Sequence, residues 1–417
     1  MTLTEWLAWQ ERLHPQAIDL GLERVAVVRD ALGLAQPPYR VITVGGTNGK
    51  GSCAAWLTAL LRAAGHRVGT FTSPHLIEYN ERIVVDGVDA GDAELCEAFE
   101  AVDRARGDES LTYFEFGALA ALHHFRESGC TVVVLEVGMG GRLDATNTLD
   151  ADAAVVVSVG IDHTEWLGDD REAIGYEKAG IFRSGRPAVC GDPNPPRSLL
   201  DHVERIGAHL VLTGRHYGHT VHGDGSWDFR GLNTEYTDLP QPNLPGFMQY
   251  GNAATALAAL DAVPDLFPPD RDAVARGLVS ARLRGRFERL SDTPRIVLDV
   301  AHNPDGARML ARQLAAEPVS GRRLAVCAMF ADKQVEATLA ALDAEVDHWL
   351  LAGLEGPRAA TGAELAARAG RAGLHGSIEA CIDVPTALAR ARALAAPDDR
   401  IVVFGSFLTV AAAMRPV

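Results

Sequence analysis

The residues Gly45–Gly–Thr–Asn–Gly–Lys–Gly–Ser52 set one lysine and one serine hydroxyl among four glycines. Backbone N–H groups in such a loop can wrap an anion, and a following helix N-terminus adds favourable dipole. Lys50 can reach β- and γ-phosphates, and Ser52 offers a hydroxyl to phosphate or Mg²⁺. The pattern departs from the general P-loop. Gly51 separates Lys50 from Ser52, and three residues separate Gly45 from Gly49. A glycine-rich loop alone is also a structural turn, so its flanks decide between the two readings. Glu136 closes the apolar run Thr131–Val137, and Asp162 and His163 follow the run Ala153–Val159. Open α/β sheets bind ligands at the carboxyl ends of their strands, so Glu136 and His163 are expected near the loop. The plainer alternative is polar strand ends satisfied locally, because a buried carboxylate without a partner is costly.

The flanks favour the phosphate reading. Tyr39–Val44 reads as a buried strand, and Cys53–Ala64, rich in Ala and Leu, as a helix. Strand, glycine loop and helix form a phosphate-binding βα unit. Val68–Phe71 reads as a short strand, Phe116–Ser128 as a helix, and the opening 3–34 has helix-like apolar spacing. The continuous apolar runs at 131–137 and 153–159 suit parallel strands covered on both faces. Residues 212–246, rich in Gly, Pro, His and Asn, are expected to form an irregular loop or hairpin excursion. Asn252–Val263 reads as a helix. A second series has strands at Arg295–Val300, Arg323–Met329, His348–Ala352 and Arg400–Phe404. The expected fold is therefore α/β: a P-loop, parallel-sheet domain over 1–284 and a smaller Rossmann-like domain over 285–417.

The formal net charge of −16 argues against broad nucleic-acid binding, which needs basic surface. Small anionic substrates remain compatible with it. Six scattered cysteines form no C-x-x-C pair and read as reduced thiols of a cytoplasmic protein. No signal peptide and no apolar run near 18 residues is present, so no membrane partner is expected.

Several segments occur together in order: Gly46–Ser52, Thr72–Leu76, Tyr113–Gly117, Leu135–Asn147, Ile161–Gly168, Glu177–Ile181, Gly285–Phe287 and Asp299–Pro304. In these segments the chain resembles the folate branch of the Mur ligase superfamily, over roughly residues 40 to 410. The resemblance implies Mur ligase architecture and a monomer that uses ATP and Mg²⁺, with a monovalent cation as a further cofactor. It implies nucleotide contacts from Thr47, Asn48, Gly49, Lys50, Gly51, Ser52, Asn252, Arg286, Asp299 and His302. Ser52, Ser73, Glu136, His163 and a carbamylated Lys178 would serve the metal. Phe114 and Asp144 would meet a pterin, with Phe114 or Phe116 serving the core instead. Asp332, Lys333 and Ser406 would meet glutamate. Taken singly, Lys178 also reads as a surface lysine, and Asp299 as a cap or turn residue.

The activity implied joins L-glutamate to dihydropteroate and to reduced folates through an acyl phosphate, with Lys50, His163, Lys178 and Arg286 central to it. A cell-wall Mur ligase, a P-loop NTPase switch and a non-catalytic pterin- or nucleotide-binding module are the rivals. The run Arg286–His302 speaks against the switch, and the presence of Lys50, Glu136 and His163 speaks against the module.

Overall fold

The apolar runs become strands of two separate sheets. The computed structural model describes residues 1–266, 270–356 and 358–415. Two units emerge: 1–243 with 249–282, and 244–248 with 283–417.

In the first unit the strands are β1 (Arg40–Gly45), β2 (Val68–Phe71), β3 (Ile83–Val85), β4 (Val88–Asp89), β5 (Val132–Glu136), β6 (Ala153–Val156), β7 (Pro187–Cys190) and β8 (His209–Leu212). They form one sheet in the order β4-β3-β2-β5-β1-β6-β7-β8. The strands from β2 to β8 across it are parallel, and β3 and β4 add antiparallel pairs at one edge. Each of β1, β5 and β6 is buried along nearly its whole length, as expected of parallel strands covered on both faces. The chain passes from β1 to β2 on one side and from β5 to β6 on the other. The strand order thus reverses around β1, which puts a ligand crevice at its carboxyl end.

The structure resolves two local expectations. The helix-like opening forms two helices, Leu3–Gln10 and Glu23–Ala31, and Pro15 and Gly21 lie in the break between them. Of the two alternatives for residues 212–246, the hairpin excursion is the one found. These residues hold the end of β8 and a three-stranded antiparallel sheet of β9 (Gly218–Val221), β10 (Trp227–Arg230) and β11 (Glu235–Leu239). Trp227 and Phe229 point alternately inward and are fully buried, and Trp227 Nε1 donates to the Pro240 carbonyl at 2.9 Å. The period-2 signal is only four residues long, and the polar turns around it hide it.

The second unit has β12 (Glu288–Asp292), β13 (Arg295–Leu298), β14 (Arg323–Cys327), β15 (His348–Ala352), β16 (Ser377–Cys381) and β17 (Arg400–Phe404). The order is β12-β13-β17-β14-β15-β16, parallel from β13 to β16, with β12 antiparallel at one edge. Sequence reasoning missed β16, whose edge position leaves most of its side chains partly or fully exposed. Arg400 is buried at the start of β17. Its Nη1 donates to the Leu314 carbonyl at 3.1 Å and the Glu317 carbonyl at 2.6 Å, at the C-terminal end of helix Pro304–Ala316. A cation there meets carbonyls that the helix cannot pair itself.

Candidate active site

The phosphate loop leaves the carboxyl end of β1. Parallel register sets Val44 opposite Glu136 and Gly45 opposite Val156. Strand β6 ends at Val156, sooner than its apolar run suggests, because the next residues turn to hold the loop. Thr47 N–H donates to the Ser158 carbonyl at 2.9 Å, and Asn48 N–H to Ser158 Oγ at 3.0 Å. Thr47 Oγ1 donates to the Gly160 carbonyl at 3.0 Å. Gly49 caps helix Lys50–Ala63 with φ 86°, and a Cβ there would lie 2.8 Å from Val157 Cγ1 and 3.0 Å from Asn252 Oδ1. Only glycine fits both that backbone and that approach. Lys50 Nζ donates to the Gly46 and Thr47 carbonyls at 3.1 and 3.4 Å. Asn252 reaches the same loop from helix Met248–Asp261, and its Nδ2 donates to Gln249 Oε1 at 3.2 Å. Gln249 Nε2 in turn donates to the buried Ser52 Oγ at 3.3 Å.

Beside this loop, Glu136 is buried and its Oε2 accepts the Ser73 N–H at 3.1 Å. Burial, then the Glu136 charge, pushes the Cys53 thiol up. Lys178 ends helix Arg171–Ala179 and is 4% exposed. Burial first and Lys50 second lower its amine to about 7, against Asp162 and Asp144. Lys178 is thus not a surface lysine. It lies among the phosphate-loop lysine and two buried carboxyls. His163 follows Asp162 at an exposed left-handed turn, φ 53°, and its N–H donates to Asp162 Oδ1 at 2.9 Å. Non-glycine residues seldom adopt that conformation, and such outliers collect at functional sites.

Phe114 and Asp144 meet across Gly138, where a Cβ would lie 2.6 Å from Phe114 Cζ and 3.2 Å from Asp144 Oδ2. Asp144 accepts from Met139 N–H at 2.9 Å, Thr146 N–H at 3.0 Å and Thr146 Oγ1 at 2.7 Å. Burial still raises its carboxyl, although these hydrogen bonds oppose it. Phe114 packs near Phe71, with ring centroids 5.7 Å apart. Phe116 is the core residue of the pair. It is fully buried against Trp6, Trp9 and Phe99. Glu115 between them is spent on Arg24.

In the second unit, Arg286, Asp299, His302 and Ser406 gather at the carboxyl ends of β13 and β17. Asp299 accepts the Phe287 N–H at 2.9 Å and the Ala301 N–H at 2.8 Å. Burial raises its carboxyl, opposed first by Arg286. The Arg286 guanidinium lies 5.1 Å from the Phe407 ring centroid, and the His302 ring 6.5 Å from it. Ser406 caps helix Phe407–Met414 and accepts the Thr409 N–H at 3.0 Å. Asp332 and Lys333 follow β14, the parallel neighbour of β17. Asp332 pairs with Arg358 at 2.6 Å, which holds its carboxyl low in spite of burial.

The Mur ligase middle domain matches residues 44–216, and the Mur ligase glutamate ligase domain matches residues 285–407. The dihydrofolate synthase/folylpolyglutamate synthase of Escherichia coli is 45% identical over 100% of this chain and 95% of its own length. The chain belongs to the folate branch of the Mur ligase family. Its fold is that of solved structures of the branch. The E. coli enzyme in complex with DHPP and ADP superposes with TM-score 0.94 at 45% identity, covering 99% of this chain and 97% of that one. A bifunctional folylpolyglutamate synthase/dihydrofolate synthase with Mn, AMPPNP and L-glutamate bound gives TM-score 0.91 at 44% identity, covering 99% and 97%.

Two polar residues of this folate-branch site escaped sequence reasoning as functional candidates. Ser158 and Gln249 brace the phosphate loop. Gln249 had a signal: it sits three residues before Asn252, on the same helix face. Among the described residues, no three His, Cys, Asp or Glu side chains form a metal cage. Glu136 and His163 are the side chains that could hold Mg²⁺, with the Ser52 and Ser73 hydroxyls. Among the described residues, no helix is long and apolar enough to cross a membrane.

Proposed function

We propose that this chain joins L-glutamate to dihydropteroate, forming dihydrofolate, and to the γ-carboxylate of reduced folates, at the expense of ATP. The observation that carries this reading is buried Lys178, at a helix end that packs on Gly141 of the segment carrying Asp144 and, through Ile181, on Gly45 at the start of the phosphate loop. It ties a nucleotide-type site to a pocket fit for a flat heteroaromatic ring. Relatives of the same branch bind ADP, AMPPNP, Mn, L-glutamate and DHPP. Residues 1–284 take nucleotide and pterin, and residues 285–417 take glutamate.

Thr47, Asn48, Gly49, Gly51 and Ser52 present N–H and hydroxyl groups to the phosphates, and Lys50 neutralises their charge. Asn252 meets adenine. Arg286, Asp299 and His302 are the nucleotide contacts of the second unit. Ser52, Ser73, Glu136, His163 and a carbamylated Lys178 would hold Mg²⁺, which would supply positive charge to the transferring phosphoryl group. Asp144 and Phe114 orient the pterin. Asp332, Lys333 and Ser406 receive glutamate. The substrate carboxylate attacks the γ-phosphorus, giving an acyl phosphate and ADP; the glutamate amine then attacks the acyl carbon and phosphate leaves. The residues act by positioning and charge neutralisation, without a protein nucleophile. The chain acts as a monomer on small molecules in the cytoplasm.

The test supplies purified protein with ATP, Mg²⁺ and L-glutamate, and varies the acceptor. Dihydropteroate and reduced folates should each give a glutamylated product by mass spectrometry, and UDP-muramyl acceptors none. ATP hydrolysis that proceeds with neither acceptor nor glutamate, and does not change when they are added, would overturn the ligase reading. Product from folates with no measurable affinity for dihydropteroate would restrict the enzyme to tail extension.

A further inference from the structure

The segment Gly138–Thr148 carries Asp144, and helix Arg171–Ala179 carries Lys178. Asn147 fastens one to the other. It is 6% exposed, and its Nδ2 donates to the Arg142 carbonyl at 3.0 Å and the Gly180 carbonyl at 3.1 Å. Its Oδ1 accepts from Arg183 Nη2 at 2.9 Å. Both amide donors and the amide oxygen are therefore engaged, one donor on the loop backbone and the other groups on Gly180 and Arg183, in the stretch that follows the Lys178 helix. Arg142 repeats the fastening one layer out. Its N–H donates to the Glu177 carbonyl at 2.8 Å, and its Nη2 pairs with Glu177 Oε1 at 2.9 Å. The approach is so close that a Cβ at Gly180 would fall 2.3 Å from Arg142 Cβ.

We infer that Asn147 is a positioning residue that sets the pterin-side carboxyl Asp144 and the metal-side Lys178 as one rigid piece. The inference rests on the site reading above. Asn147 stands three residues after Asp144, whose carbonyl accepts the Asn147 N–H at 2.8 Å, and binds the carbonyl two residues after Lys178. Any movement of the helix end that carries Lys178 is thus passed to the loop that carries Asp144. Loosening Asn147 should degrade two binding sites together, whereas an ordinary buried amide would lower stability alone.

Binding measurements separate these cases without relying on turnover. Mn²⁺ binding is followed by the electron paramagnetic resonance of the free ion in the presence of ADP, dihydropteroate binding by fluorescence, and ADP binding alone in EDTA. Asn147→Ala should raise the Kd for Mn²⁺ and for dihydropteroate by about tenfold each, the low end for loss of a support behind a metal ligand. Asn147→Asp, which points an acceptor at two carbonyls, should raise both at least as much. ADP binding in EDTA should stay within about twofold, because the contacts of the phosphate loop do not involve Asn147. Val203→Ala, in the buried face of helix Arg197–Ile206, is the control for lost stability and should leave all three constants unchanged. Should Asn147→Ala not fold, Glu177→Gln loosens the same contact from the helix side and should move the two constants in the same direction. Unchanged Mn²⁺ and dihydropteroate constants in the variants, or equal changes in Val203→Ala, would overturn the inference. Lys178→Ala distinguishes the levels: if it leaves Mn²⁺ binding intact, the site reading itself fails; if it weakens Mn²⁺ and the Asn147 variants do not, only the role of Asn147 falls.

Discussion

Lys50→Ala is expected to lower kcat about 10²- to 10⁴-fold, the usual loss when a charged contact to the transition state is removed. The side chain stands at the first turn of the phosphate-loop helix, where the helix dipole and backbone N–H groups already favour an anion. Its two hydrogen bonds, to the Gly46 and Thr47 carbonyls, tie the loop together before nucleotide arrives. Their loss should cost about 1 kcal/mol of stability, the usual net contribution of a hydrogen bond. The fold therefore survives and the effect falls on turnover. Steady-state kinetics with a parallel melting curve checks this. A variant with near-normal kcat would show that this loop is not the phosphate site.

Lys178→Ala should remove nearly all activity and recover part of it with added formate or acetate, whereas Lys178→Arg should not recover. A buried ammonium here would face Lys50 and a bound divalent cation. Like unit charges about 4 Å apart repel by roughly 4 kcal/mol at an effective dielectric near 20. The structure already lowers the amine to about 7, by burial first and by Lys50 second. A neutral amine can add CO₂, forming an N–C bond and releasing a proton. The resulting carbamate reverses the charge and supplies oxygen donors suited to Mg²⁺. A short carboxylic acid in the vacated space would replace it. Full activity in Lys178→Ala would remove the residue from the mechanism and leave Ser73, Glu136 and His163 for the metal.

What could be read from the sequence was local. The phosphate loop lies within eight residues between an apolar strand and an alanine-rich helix, so spacing and flanks revealed it. Glu136 was legible for a similar reason, as an acid at the end of an apolar run. Its partner was not: the Ser73 N–H comes from 63 residues away, across a parallel pairing. Ser158 is 110 residues from Asn48, and Gly180 is 33 from Asn147, so neither contact leaves a periodic trace. Lys178 reads as an ordinary helical lysine until the fold buries it. Phe114 and Phe116 share one helix two positions apart, which turns them to different faces, and only packing showed that Phe116 is the one that joins the core. The edge strand β16 was lost to short length and exposure, which erase the apolar signal on which strand recognition depends.

The account stands most directly on the acyl phosphate. Dihydropteroate labelled with ¹⁸O in both carboxylate oxygens is turned over with ATP and L-glutamate, and the released phosphate is analysed by mass. If the carboxylate attacks the γ-phosphorus, one labelled oxygen leaves with each phosphate and the other stays in the new amide. Phosphate free of label, with dihydrofolate still forming, would contradict the account.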